Sequence, residues 1–155
     1  MTALAAQSAT DAYRLTESLQ EPFRSESVLR PAPDEVEFEE LLLQKLGPRG
    51  WGRLHHFRQY YSPAWGTGAE KPLSPRAVGA FRLFLQNVQF PHGRLPSIFL
   101  TDKGGLELCW EDVNSKSVQV EFTSNGIEFY REATDQEGFT DFDEIPMLVQ
   151  TLNGA

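Results

Sequence analysis

Residues 95–132 read LPSIFLTDKGGLELCWEDVNSKSVQVEFTSNGIEFYRE, and this stretch decides the fold. It divides into four short runs, PSIFLT, LELCWE, SVQVEFT and IEFYRE, in which apolar and polar residues alternate. The joints between them are DKGG, a polar turn and SNG. A period of two marks a half-buried strand, and clusters of Gly, Asn and Asp mark the turns between strands. The stretch therefore predicts a four-stranded antiparallel β-meander over about 97–132.

Asn125-Gly126 stands between two alternating runs. Both central residues of a type I′ turn need positive φ, which Asn and Gly tolerate, so this pair predicts a two-residue hairpin. That hairpin would set Ser124 opposite Ile127, Phe122 opposite Phe129 and Glu121 opposite Tyr130. Val118, Val120 and Phe122 fall on one face with Ile127 and Phe129, while Gln119, Glu121, Glu128 and Tyr130 fall on the other. Leu106, Leu108 and Trp110 likewise alternate with Glu107, Cys109 and Glu111. The sheet should have one apolar and one acidic face. Antiparallel sheets can leave a polar face in water, so only the apolar face needs a cover.

Helices on both sides in sequence supply it. Asp34 is an N-cap candidate, and an apolar face runs over about 35–46 until Gly47-Pro48 stops it. Ser74-Pro75 opens the clearest helix, about 75–89, with Ala77, Ala80, Phe81, Phe84, Leu85 and Val88 as its stripe. Ile145, Leu148, Val149 and Leu152 space a last helix over about 145–152. Pro146 is tolerated there in a first turn. Asp135 to Gly138 reads as a polar loop. The fold class is α+β, with the helices on one face of the meander. Residues 1–30, rich in Ala, Ser, Thr and Gln, read as a flexible N-terminal arm, and 31–155 as one domain.

The chain has 155 residues, 40% of them hydrophobic, which is enough for a modest core. One Cys cannot form an internal disulfide, so a reducing, cytoplasmic setting is expected. Neither a secretory leader nor a membrane span is expected. The net charge of −8 is segregated: residues 1–44 carry −6, 45–103 carry +7 and 104–155 carry −9.

The basic part contains an aromatic run, PRGWGRLHHFRQYYSPAWG over 48–66, which reads as a helix over 52–61, a strand or an irregular loop. Its Arg49, Trp51, Arg53, Arg58, Tyr60, Tyr61 and Trp65 are candidate interaction residues. Arginines neutralise phosphates and exposed rings stack on bases, so nucleic-acid binding through 49–94 is one reading. Acidic flanks that satisfy the same arginines internally are the competing one.

On the acidic sheet face, Glu107, Glu111, Glu121 and Glu128 could approach a divalent cation, as in a metal-dependent hydrolase. A two-strand nuclease arrangement would need a lysine one residue past the acid, and LELCWE and VQVEFT lack it. The adjacent His55 and His56 cannot both reach one metal, and no Cys pair supports zinc. No cofactor and no catalytic residue is expected.

The run 96–130, PSIFLTDKGGLELCWEDVNSKSVQVEFTSNGIEFY, resembles a sheet motif of small uncharacterised bacterial proteins. That motif has a proline-led strand, a Gly-Gly turn, an L-x-L-x-W strand and a strand ending before an Asn-Gly turn. Some such proteins accompany toxin–antitoxin or other defence genes. The resemblance implies an antitoxin-like or immunity-like partner and maps no catalytic residue. Together with the segregated charge, it favours a non-catalytic protein-interaction module that binds another protein.

Overall fold

A computed structural model describes residues 32–61 and 72–153. The expected arm over 1–30 and Trp65 lie outside the described residues.

Asp34 starts the first helix, α1 (Glu35–Tyr60). Its carboxylate accepts the N–H of Glu37 while the Glu37 side chain reaches back to the Asp34 N–H, a reciprocal capping box. Phe38, Leu42 and Leu46 follow at four-residue spacing and are buried. The helix was expected to stop at Gly47-Pro48. It kinks there and continues. Proline disfavours the α conformation in the residue before it, and Gly47 takes φ 73 and ψ 177, a region open only to glycine. Beyond the kink Leu54 and Phe57 return to the core, so the helical reading of 52–61 was the right one among its alternatives.

Ser74 caps α2 (Pro75–Asn87), with Pro75 at the first position where its missing N–H is harmless. Phe81 and Phe84 pack edge-on against Phe122 of the sheet at 5.7 and 5.2 Å. Lys45 ties α1 to the far end of α2, donating from Nζ to the Leu85 and Val88 carbonyls at 2.5 and 2.6 Å. Carbonyls at a helix end have no partner within the helix, so this ammonium completes them. The last helix, α3 (Ile145–Asn153), packs on α2.

The sheet runs β1 (Ser97–Leu100), β2 (Leu106–Glu111), β3 (Ser117–Phe122), β4 (Ile127–Arg131) and β5 (Gln136–Thr140), antiparallel throughout and in sequence order. Among the described residues it therefore has five strands where the alternation predicted four. The expected loop from Asp135 becomes β5 at Gln136, after a short turn in which Asp135 takes φ 47.

The β3–β4 register also differs from the expectation. Phe122 lies opposite Ile127, Glu121 opposite Glu128 and Val120 opposite Phe129. Neither Asn125 nor Gly126 takes positive φ. The loop spans Thr123 to Gly126, and the Thr123 hydroxyl organises it by accepting the Asn125 and Gly126 N–H groups at 3.2 and 3.1 Å. A shift of two residues keeps every side chain on its predicted face, so the two-faced reading survives the wrong register. Gly126 serves a different purpose: a Cβ there would lie 2.3 Å from the Phe139 ring and 2.8 Å from the Thr140 carbonyl. The glycine makes room for β5.

The inner face carries Ile98, Leu108, Trp110, Val118, Val120, Phe122 and Ile127, all buried in one core with residues of the three helices. The helices cover this face, and the outer face stays open except at its β1 edge, where Arg53 of α1 reaches Phe99.

Candidate functional site: the open sheet face and the Arg53 cleft

Register places the outer side chains in rows across the strands. One row reads Phe99, Glu107, Glu121, Glu128, Phe139, one residue from each strand in turn. Neighbouring strands stand about 4.8 Å apart, so the row is about 19 Å long. Three carboxylates fill its middle, and a partly exposed phenylalanine closes each end, Phe99 at 39% and Phe139 at 55%. An open concavity of about 570 Å³ lies over Glu107, Glu121, Glu128 and Phe139 and reaches Gln119 and Tyr130.

Of the four glutamates singled out in the sequence, three converge. Glu111 does not: it sits four residues along β2 from Glu107, about 13 Å away, and pairs with Arg94 at 3.1 Å. No group of three or more His, Cys, Asp or Glu among the described residues is placed to hold a metal ion.

The carboxylates of the row do not share one environment. Burial, and then the neighbouring Glu128, push the Glu121 carboxyl above its ordinary range, against the pull of a hydrogen bond from Thr101 and the charge of Lys103. Lys103 stands 3.7 Å from Glu128. The Cys109 thiol, on the same face, donates to Glu107 at 3.1 Å. Burial and this hydrogen bond push its pKa up to about 12, which makes it a poor nucleophile.

The basic-aromatic candidates divide into two groups. On α1, Trp51 donates its indole N–H to Glu39, and Arg58 lies 3.6 Å from Glu35. Arg82 of α2 meets the same Glu35 and stacks over Phe38. Its hydrogen bond is the first cause holding the Glu35 carboxyl below the ordinary range. Arg94 donates to Glu111, the Asp112 carbonyl and Ser115. These residues join elements of the fold. Arg49 is exposed just past the kink, apart from both surfaces.

Arg53, Tyr60 and Tyr61 go elsewhere. His56 stacks against Tyr60 at 4.7 Å and lies 6.2 Å from Tyr61. The Arg53 guanidinium lies over Phe57 at 5.7 Å and over Phe99 at 4.9 Å. A cleft of about 250 Å³ opens here, between the end of α1 and the β1–β2 turn, with Thr101 and Asp102 on its far wall. Phe99 thus belongs to both surfaces.

Sequence reasoning missed Phe99, Phe139, His56 and Asp102 as members of these surfaces. Phe99 could have been found, since it alternates outward beside Ile98. Phe139 could not, because the expected loop ends at Gly138 and Phe139 falls at helical spacing with Phe142 and Ile145.

No helix among the described residues is long and apolar enough to cross a membrane. Scans of the chain against protein-family models, curated proteins and solved structures give no significant match.

Proposed function

We propose that this chain is a non-catalytic protein-interaction module of the cytoplasm whose open sheet face receives a basic protein partner, in the manner of an antitoxin-like or immunity-like protein. The observation that carries this reading is the row Phe99–Glu107–Glu121–Glu128–Phe139. Interfaces favour aromatic anchors with complementary charge around them, and the row offers an anchor at each end with three carboxylates between. Like charges set opposite one another on a sheet are unfavourable to the fold, so a cationic partner would relieve a cost already present. Charge of one sign on an open face also speeds encounter with a partner of the other sign.

Nucleic-acid binding through 49–94 is the alternative. It has fewer cations to draw on, because Arg58, Arg82 and Arg94 already meet carboxylates of this chain. The test is affinity capture from host lysate with wild-type protein and with the double variant Glu107→Lys, Glu128→Lys, each with and without nuclease. A stoichiometric protein that survives nuclease and is lost with the double variant supports the reading. Recovery of nucleic acid that both proteins retain would transfer the function to the basic segment. A companion protein held equally by the double variant would remove the sheet face from the interface.

A further inference from the structure

We infer that the Arg53 cleft is a recognition site for a carboxylate carried on an apolar or aromatic body. This inference does not rest on the sheet-face reading, although Phe99 borders both surfaces.

Among the described residues, Arg58, Arg82 and Arg94 find acceptors, but the contacts of Arg53 are the two ring faces of Phe57 and Phe99. Its Nε is buried and has no hydrogen-bond partner. A buried donor left unpaired costs free energy, so the two ring contacts hold the guanidinium here at a cost. Cation–π contact with the two rings holds the planar guanidinium at the cleft. The N–H groups lie in its plane, a fork matched to the two oxygens of a carboxylate.

The surroundings choose among anions. Asp102 lines the cleft, and the wall opposite α1 includes no lysine or arginine among the described residues. One guanidinium beside one carboxylate suits a monoanion. A phosphate, with a charge of about −1.5 to −2, would meet Asp102 with Arg53 as the one permanent cation among the described lining residues, His56 being the other nitrogen base there. The Thr101 hydroxyl is already committed, accepting the Gly105 N–H and donating to Glu121. Apart from His56, the remaining lining, Phe57, Tyr61, Phe99 and Leu100, is aromatic or apolar and fits a hydrocarbon body. At about 250 Å³ the cleft falls below the size usual for cofactor sites, about 300–1,000 Å³. It holds one residue or a small molecule.

Such a carboxylate has two sources, a free small acid or the C-terminal residue of a polypeptide. The test is a titration of ¹⁵N-labelled protein followed through the Arg53 Nε–H signal and the Tyr61 and Phe99 amides. The probes are N-acetylphenylalanine, its carboxamide, inorganic phosphate, and a hexapeptide ending in phenylalanine with a free C-terminus. The acid should give saturable shifts at all three positions, and the carboxamide should bind about tenfold or more weakly. Arg53→Gln and Arg53→Lys should each lose about tenfold or more, the latter because an ammonium lacks the fork. Arg76→Gln, which alters the stacking on Phe142, should leave the titration unchanged. A tighter hexapeptide would assign the site to a polypeptide terminus, and equal affinity would assign it to a free acid. No saturable shift, equal binding of acid and carboxamide, tighter binding of phosphate, or full retention in Arg53→Gln would each overturn the inference.

Discussion

Glu39, on the first half of α1, accepts the indole N–H of Trp51 from the other side of the Gly47 kink. His55 Nε2 lies 2.9 Å from the same carboxylate. One side chain therefore fixes the angle between the two halves of the helix. The second half carries Arg53 and the aromatic residues around it, so this clamp sets where the cleft falls against β1.

Glu39→Ala should lower stability by about 1 kcal/mol at neutral pH, the value of a hydrogen bond to a partly exposed charged group. The hydrogen bond from His55, and then that from Trp51, hold the Glu39 carboxyl below its ordinary range. A carboxylate whose folded pKa is depressed contributes stability above its unfolded pKa and loses it as pH falls through the folded value. The gap between wild type and Glu39→Ala should accordingly close below about pH 4. Urea unfolding across that range tests it, and a gap that stays constant into acid would show the clamp to be irrelevant.

Gly47→Ala tests the kink itself. The φ of 73 is unfavourable for any side chain, and the added Cβ would lie 2.9 Å from Leu95 Cδ1. The backbone term alone should cost about 1–3 kcal/mol. Adding Leu95→Ala removes the steric contact and leaves the φ untouched. The double variant should regain only a minor part of the lost melting temperature. Full recovery would mean that contact with Leu95, rather than backbone conformation, is the reason for glycine at this position.

The same kink illustrates what a sequence makes legible. Period-two alternation located β1 to β4 and both their faces, because it reports burial of one side of a sheet, and burial dominates strand formation. It gave no reliable register for β3–β4. Asn125-Gly126 invited a two-residue turn, but the Thr123 hydroxyl and the approach of Phe139 select a longer loop. Those are tertiary facts. The strand β5 carries Gly138 and two polar residues at its start and buries none of its side chains fully, so no alternating signal could reveal it. At the candidate sites, alternation placed Glu107, Glu121 and Glu128 on one face, and register then separated Glu111 from them. In the basic segment, composition drew attention to the arginines without telling paired from unpaired. That distinction depends on Glu35, Glu39 and Glu111, which lie well away from their partners in the chain.

Glu121 stands between Glu107 and Glu128 in the row, and its carboxyl is held above the ordinary range by burial first and by Glu128 in support. A raised carboxylate pKa has the opposite sign from Glu39: the charged form is disfavoured in the folded state, and stability rises as pH falls through the raised value. Glu121→Gln should therefore stabilise the protein at neutral pH, by about 0.5 kcal/mol. The gain should shrink as pH falls and wild-type Glu121 takes up its proton. Paired thermal melts at neutral and mildly acid pH provide the check. Destabilisation at neutral pH would mean that Thr101 and Lys103 outweigh the repulsion.

Cys109 shares this face, and its thiol should be unreactive in the folded protein. Burial comes first and the Glu107 carboxylate second in raising its pKa to about 12, and the S–H donates to Glu107 at 3.1 Å. The thiolate is the reactive species, and an unperturbed thiol has a pKa of about 8.5. Alkylation by iodoacetamide at about pH 8 should therefore run at least about a hundredfold more slowly in native protein than in urea. Glu107→Gln removes the neighbouring charge while leaving the burial, so it should restore only part of the rate. Native Cys109 reacting as fast as the unfolded chain would mean that β2 opens readily at this position. It would also weaken the case for a rigid row of glutamates, because Glu107 and Cys109 are held by the same strand.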